Sequence, residues 1–267
     1  MVSFSKRLKK ALEISQLCVG IDPSEAELVG FGLPDTATGA RDYALRIIDA
    51  CADRVAIIKP QIAYFERFGS AGYLALEEVY VAARASSLMI ISDAKRGDIG
   101  STLVGYAQAW FGDDSPLRSD ALTLSPYLGT ESLNEIMGYA KDINAGVFLL
   151  AATSNSEAAQ LQTAKSNEKT VSQLVIEGAR KIGGGDAGVV IGATQDLSAF
   201  GIEWLKTEDV GIPILAPGFG FQGGKLADLK QLFGKSSPRV VASVSRAITA
   251  NGYAKLAAQI DKAKLEL

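Results

Sequence analysis

The 267-residue chain contains no histidine, and that absence removes several chemistries at once. Neither a Ser-His-Asp nor a Cys-His nucleophile system can be built from it, and no His-ligated zinc site can form. Cysteine is almost as scarce. Cys18 and Cys51 lie in apolar surroundings without CxxC spacing, which predicts free buried thiols in a reducing compartment rather than a disulfide. There is no surplus of positive charge: 27 Lys and Arg against 30 Asp and Glu give a net charge of −3. The chain therefore lacks the basic footprint of a nucleic-acid or anionic-membrane binder. No apolar run reaches membrane-spanning length. The opening Met1-Val-Ser-Phe-Ser-Lys-Arg-Leu-Lys-Lys10 is amphipathic and lacks the apolar core of a secretory signal. A cytoplasmic protein is expected. Any catalysis has to rest on Lys, Asp, Glu, Arg, hydroxyls and backbone.

What the chain does have is a recurrent pattern. At 48% hydrophobic and 21% charged it has an ordinary globular composition. Short apolar runs read as strands near 17–22, 55–60, 89–93, 121–125, 146–151, 188–192, 212–217 and 240–243. Several do not alternate, as expected of parallel strands covered on both faces. Amphipathic helices are predicted over 41–53, 71–86, 100–110, 130–140, 171–181, 197–206, 225–232 and 247–264. Eight strands, each followed by a helix, spread over about 250 residues match a single-domain α/β (β/α)₈ TIM barrel. A doubly wound open sheet is the alternative. The polar stretch Ser154–Lys169 is the one long loop; it follows strand five and is expected to act as a lid.

In such a barrel, function belongs at the C-terminal ends of the strands. Those ends carry Asp22, Lys59, Asp93 with Lys95, Thr153-Ser154, Pro217-Gly-Phe-Gly220 and Ser245-Arg246. The densest is Ile90-Ile-Ser-Asp-Ala-Lys-Arg-Gly-Asp-Ile-Gly-Ser-Thr102. Residues two apart in a strand share a face, so Asp93 and Lys95 should project together, whereas Asp98 lies past the strand. Three charges beside a buried strand are costly unless paired or used; a salt-bridge cluster at a strand tip is the plain alternative. Gly218-Phe-Gly220-Phe-Gln-Gly223 matches G-x-G-x-x-G and is expected to open a helix. The acidic residue that a dinucleotide site would place about 20 residues later is missing. As the loop after strand seven, with Arg246 after strand eight, it fits instead a barrel's single-phosphate site.

Lys59, the run Asp93-Ala-Lys95-Arg-Gly-Asp98-Ile, Pro217-Gly-Phe-Gly-Phe-Gln222-Gly-Gly224 and Ser245-Arg246 together resemble the orotidine 5′-phosphate decarboxylase family. Asp22-Pro-Ser and Ile58-Lys-Pro-Gln-Ile-Ala-Tyr-Phe-Glu66 further resemble its longer bacterial branch. The resemblance implies a homodimeric barrel, free of cofactor and metal, that converts the nucleotide orotidine monophosphate to uridine monophosphate and CO₂. It makes Lys59, Asp93 and Lys95 an alternating charge chain, completed by Asp98 from the neighbouring subunit, with Lys95 the proton donor to C6. Asp22, Lys59, Asp98 and Thr102 would hold the ribose, the last two across the interface. Ser154 would face the pyrimidine, Pro217 would line the substrate site, and Gln222 would bridge the closing loop to the phosphate. Arg246 and the amide beside Ser245 would grip the phosphate.

Three rivals remain from sequence. A metal-dependent sugar-phosphate decarboxylase or aldol-type synthase on the same barrel resembles this chain, but carries an acid where Lys59 stands. A Schiff-base aldolase using Lys59 or Lys95 as nucleophile needs a neutral lysine, which the aspartates flanking Lys95 oppose. A non-catalytic nucleotide-phosphate binding protein would not need the charge chain.

Overall fold

The computed structural model describes residues 2–267. Eight parallel strands close into a barrel: β1 Leu17–Ile21, β2 Ile57–Pro60, β3 Met89–Arg96, β4 Ala121–Leu124, β5 Gly146–Ala152, β6 Ala187–Ile191, β7 Ile214–Ala216 and β8 Val240–Val244. They pair in sequence order, and β8 closes on β1 with Cys18 opposite Ser243. The main helices are α1 Phe4–Ile14, α2 Ala37–Cys51, α3 Gly69–Ala85, α4 Gly100–Phe111, α5 Asn134–Asp142, α6 Val171–Gly183, α7 Leu229–Phe233 and α8 Leu256–Leu265. None is long and apolar enough to cross a membrane among the described residues.

The two-residue period of the strands divides the apolar side chains into two cores. Val19, Ile58, Ile90, Leu149, Val189 and Ile214 face outward and pack under the helices. Cys18, Ile57, Ile91, Phe148, Val190, Leu215 and Val241 face inward. Burial on both faces is why these strands read as unbroken apolar runs. The inward layer is closed from below by α1, whose Phe4, Leu8 and Ala11 share one helical face. Phe4 meets Phe148 edge to face, with centroids 6.1 Å apart at 83°. Gly146 permits that approach: a Cβ there would come within 2.2 Å of the Phe4 ring. Asp186 Oδ1 accepts the Ser5 N–H at 2.7 Å and anchors the start of α1.

The structure corrects four local expectations. Residues 197–206 form turns and a single 3₁₀ turn, Glu203–Lys206, rather than a helix. Gly201 there is left-handed at φ +70°. The Phe200 and Gly201 carbonyls accept hydrogen bonds from Thr170 and Gln173 of the α6 cap, so they do not serve a helix of their own. The helix expected over 225–232 reduces to a 3₁₀ turn, Leu226–Asp228, and the short α7. The helix expected over 247–264 is interrupted at Gly252, φ +72°, and resumes as α8. Ser154–Lys169 is no bare loop, since it carries the helix Ala158–Gln162 and a hairpin pairing Lys165–Ser166 with Lys169–Thr170.

Candidate active site

One step further along each strand, the inward positions turn polar. Above Ile57 stands Lys59, above Ile91 Asp93, above Ala121 Thr123 and above Val241 Ser243. With Asp22, Thr153, Ser154, Pro217, Gln222, Ser245 and Arg246, which follow the strands, they line a cavity of about 350 Å³ at the barrel mouth. Leu150, Val190 and Leu215 supply its apolar wall.

Asp93 organises the floor of this cavity. Its Oδ2 accepts from Lys59 Nζ at 2.8 Å and Gln61 Nε2 at 3.2 Å. Its Oδ1 accepts from Lys95 Nζ at 2.6 Å and Thr123 Oγ1 at 3.0 Å. Lys59 and Asp93 are only 6% and 9% exposed, so each charge has lost most of its water. Burial alone would push the Asp93 carboxyl up, but Lys59 and Lys95 outweigh it and hold the group well below the usual carboxylate range. Burial likewise opposes the Lys59 ammonium, and Asp93 and Asp22 reverse the balance, holding it above an ordinary lysine. Cys18 lies beneath the cluster. Burial pushes its thiol up to about 12, so it remains protonated and inert at neutral pH.

Asp93 and Lys95 do meet, though not by simple strand alternation. The register of β3 against β4 shifts between Ser92 and Arg96, and Lys95 is left-handed at φ +50°. This bulge turns the Lys95 side chain, 45% exposed, onto Asp93 at the edge of the cavity.

Two buried oxygens in the wall, Asp22 Oδ1 and Ser245 Oγ, have no hydrogen-bond partner among the described residues. Buried polar atoms are rarely left so, and both line the space a polar ligand would fill. Ser245 packs over β1 because residue 20 is glycine; a Cβ there would lie 2.7 Å from Ser245 Cβ. Toward the rim, the Arg246 guanidinium lies 3.8 Å from the centroid of the Phe221 ring. The glycine-rich loop does not open a helix as expected. Instead the Gly220, Gly223 and Gly224 amides donate to carbonyls of the loop itself. Positive φ at Gly218, Gly220 and Gly223 permits that tight fold. Arg246, rather than a helix N-terminus, is therefore the cationic element at this end.

Asp98 and Thr102 do not reach their own chain's cavity. Asp98 Oδ1 accepts the Ile99 N–H at 2.8 Å in the segment between β3 and α4, and Thr102 is exposed on α4. The other residues singled out from sequence all line the cavity. Thr123, Gln61 and Ser243 were not singled out. Thr123 and Ser243 could have been found, since each is the one polar residue on the inward face of an apolar strand.

A (β/α)₈ barrel with a buried carboxylate bridged between two lysines at its mouth defines the class. Residues 15–259 match the Orotidine 5′-phosphate decarboxylase / HUMPS family, and the chain belongs to that family. It is 42% identical over 256 residues to an orotidine 5′-phosphate decarboxylase of Corynebacterium glutamicum strain R, covering 92% of this chain and 90% of the relative. The enzyme of the same name from Streptomyces coelicolor is 43% identical over 262 residues, covering 94% and 91%. A crystal structure from Streptomyces avermitilis ma-4680, named as a candidate orotidine 5′-phosphate decarboxylase, superposes with a TM-score of 0.92 at 38% identity, over 100% of this chain and 95% of that one.

Proposed function

We propose that this barrel decarboxylates orotidine 5′-monophosphate to uridine 5′-monophosphate and CO₂, a step of pyrimidine synthesis. The observation that carries the reading is Asp93 held between Lys59 and Lys95 inside the cavity. When the C6–carboxylate bond breaks, CO₂ leaves and the electron pair stays on C6 in the ring plane, where the ring π system cannot absorb it. A fixed ammonium beside C6 favours that charge and then quenches it, Lys95 Nζ giving its proton to C6 and regaining one from water.

Asp93 holds the Lys95 ammonium in position. Its repulsion of the substrate carboxylate is secondary: at about 4 Å and an effective dielectric near 20 it amounts to about 4 kcal/mol, whereas so slow a reaction requires about 20 kcal/mol of barrier lowering. The remainder is assigned to the phosphate, whose binding to Arg246, Gln222 and the Ser245 edge drives closure over a dry site. Asp22 Oδ1 and Ser245 Oγ, without partners among the described residues, are suited to ribose and phosphate groups, and Ser154 to the pyrimidine edge. Asp98 and Thr102 are assigned to the site of a second copy. Support comes from their position outside their own cavity and from exposed Ile99, Tyr127 and Leu128, which follow the adjoining strands β3 and β4. The cytoplasm is the assigned compartment, supported by the free buried thiols of Cys18 and Cys51.

The metal-dependent reading is disfavoured because the Lys59 ammonium stands 2.8 Å from the central carboxylate, where a divalent cation would need oxygen ligands. The Schiff-base reading is disfavoured because Lys59 is held above, not below, an ordinary lysine. An ultraviolet assay of orotidine monophosphate loss in the presence of EDTA tests the proposal. Turnover unchanged by the chelator is expected. Binding without turnover, or turnover abolished by EDTA, would overturn it.

A further inference from the structure

The carboxylate–lysine pairing does not account for how Lys95 is held in its left-handed backbone conformation. A non-glycine residue there is strained by about 1–2 kcal/mol, and such strain persists only where surrounding contacts impose it. Besides the register shift against β4, one contact at this residue is made by a single hydroxyl. Thr123, on β4 and 1% exposed, accepts the Lys95 N–H at 2.9 Å and donates to Asp93 Oδ1 at 3.0 Å. The direction of both bonds is fixed by chemistry. Asp93 is ionised and can only accept, and an amide N–H can only donate, so one hydroxyl proton and one lone pair satisfy both.

We infer that Thr123 is a positioning residue for the proton donor. Its hydroxyl ties the Lys95 backbone and the Asp93 carboxylate to β4, so that the ammonium and its counter-ion hold one geometry when the nucleotide arrives. The inference rests on the decarboxylase reading above. It adds a residue acting through Lys95 rather than on the substrate. Replacement by valine keeps the shape and removes the hydroxyl, leaving the Lys95 N–H without its acceptor and Asp93 Oδ1 with one donor fewer. Serine keeps both bonds.

The test compares wild type, Thr123→Val and Thr123→Ser in two reactions. One is decarboxylation. The other is exchange of the C6 hydrogen of 5-fluoro-uridine monophosphate with deuterated water, which needs the same lysine but involves no carboxyl group. Thr123→Val is expected to lower kcat by about thirty- to a hundredfold, the cost of a misplacement of about 1 Å. KM should stay within about threefold and C6 exchange should fall by the same factor as kcat. Thr123→Ser should restore both rates to within about fivefold of wild type, since its hydroxyl remakes both bonds. A valine variant that folds, binds uridine monophosphate and retains kcat within about twofold would overturn the inference. So would loss of decarboxylation with C6 exchange untouched, because that marks a contact to the substrate carboxyl instead. Inactive wild-type protein would refute the decarboxylase reading itself, and is thereby distinguished from failure of the Thr123 inference alone.

Discussion

The two ends of the barrel are built from the same strands, one inward residue apart, yet they obey opposite rules. At the floor Cys18, Ile57, Ile91, Phe148 and Val241 meet the Phe4 face of α1 in a close-packed apolar plug. At the mouth Lys59, Asp93, Thr123 and Ser243 meet a cavity. Among the described residues, no buried side-chain nitrogen or oxygen at the floor lacks a partner. The mouth, among the described residues, leaves Asp22 Oδ1 and Ser245 Oγ without partners, strains the backbone at Lys95 and confines a three-charge chain. Stability is thus concentrated at one end and reactivity at the other, and substitutions at the two ends should separate the two properties.

The largest effect is expected at the mouth. Lys95→Ala should lower turnover by about 10⁴-fold or more, through loss of both the proton donor and the charge that stabilises C6. Uridine monophosphate should still bind and the melting temperature should hardly move; the checks are kcat and a binding titration on the same preparation. The floor should behave in reverse. Phe4→Ala should destabilise the fold by about 3–5 kcal/mol, read by denaturant unfolding, while kcat per folded molecule stays within about twofold. A floor variant of full stability, or one with crippled chemistry, would blur the division.

The smallest effect is in the pH dependence of stability. Asp93 titrates below its unfolded value, so its stabilising contribution is complete above about pH 4 and is lost as pH falls through the folded value. Lys59 titrates above its unfolded value, so its contribution is complete below about pH 10 and is lost as pH rises through the folded value. The difference in unfolding free energy between wild type and Asp93→Asn should be constant across neutral pH and narrow below about pH 4. A difference that narrows already near pH 6 would place the carboxyl in the wrong charge state.

Much of this division was legible in the chain. The apolar runs of the eight barrel strands were visible because both of their faces are buried, and the charges at Asp22, Lys59, Asp93 and Lys95 stood out because they end such runs. What was hidden depends on contacts distant in sequence. The apolar face of α1 has its partner at Phe148, more than a hundred residues away. The 197–206 segment carries helix-like spacing, but its carbonyls are claimed by the α6 cap. The bulge that aims Lys95 arises from register against β4. Strand alternation gave the right pairing with Asp93 through the wrong backbone, and so passed over Thr123. Asp98 lies beyond the strand, as its spacing predicts, and Thr102 on the helix that follows; a single chain leaves both outside its own cavity.

The most direct measurement is the turnover of Asp93→Asn. Asparagine preserves the shape of the side chain but removes the negative charge that keeps Lys59 and Lys95 paired at the cavity floor. In folded protein that still binds uridine monophosphate, kcat should fall by more than about a hundredfold, the scale of losing one preorganised electrostatic group. Turnover within about threefold of wild type would show that the ammonium holds its place without the carboxylate, and would contradict the role assigned to Asp93 here.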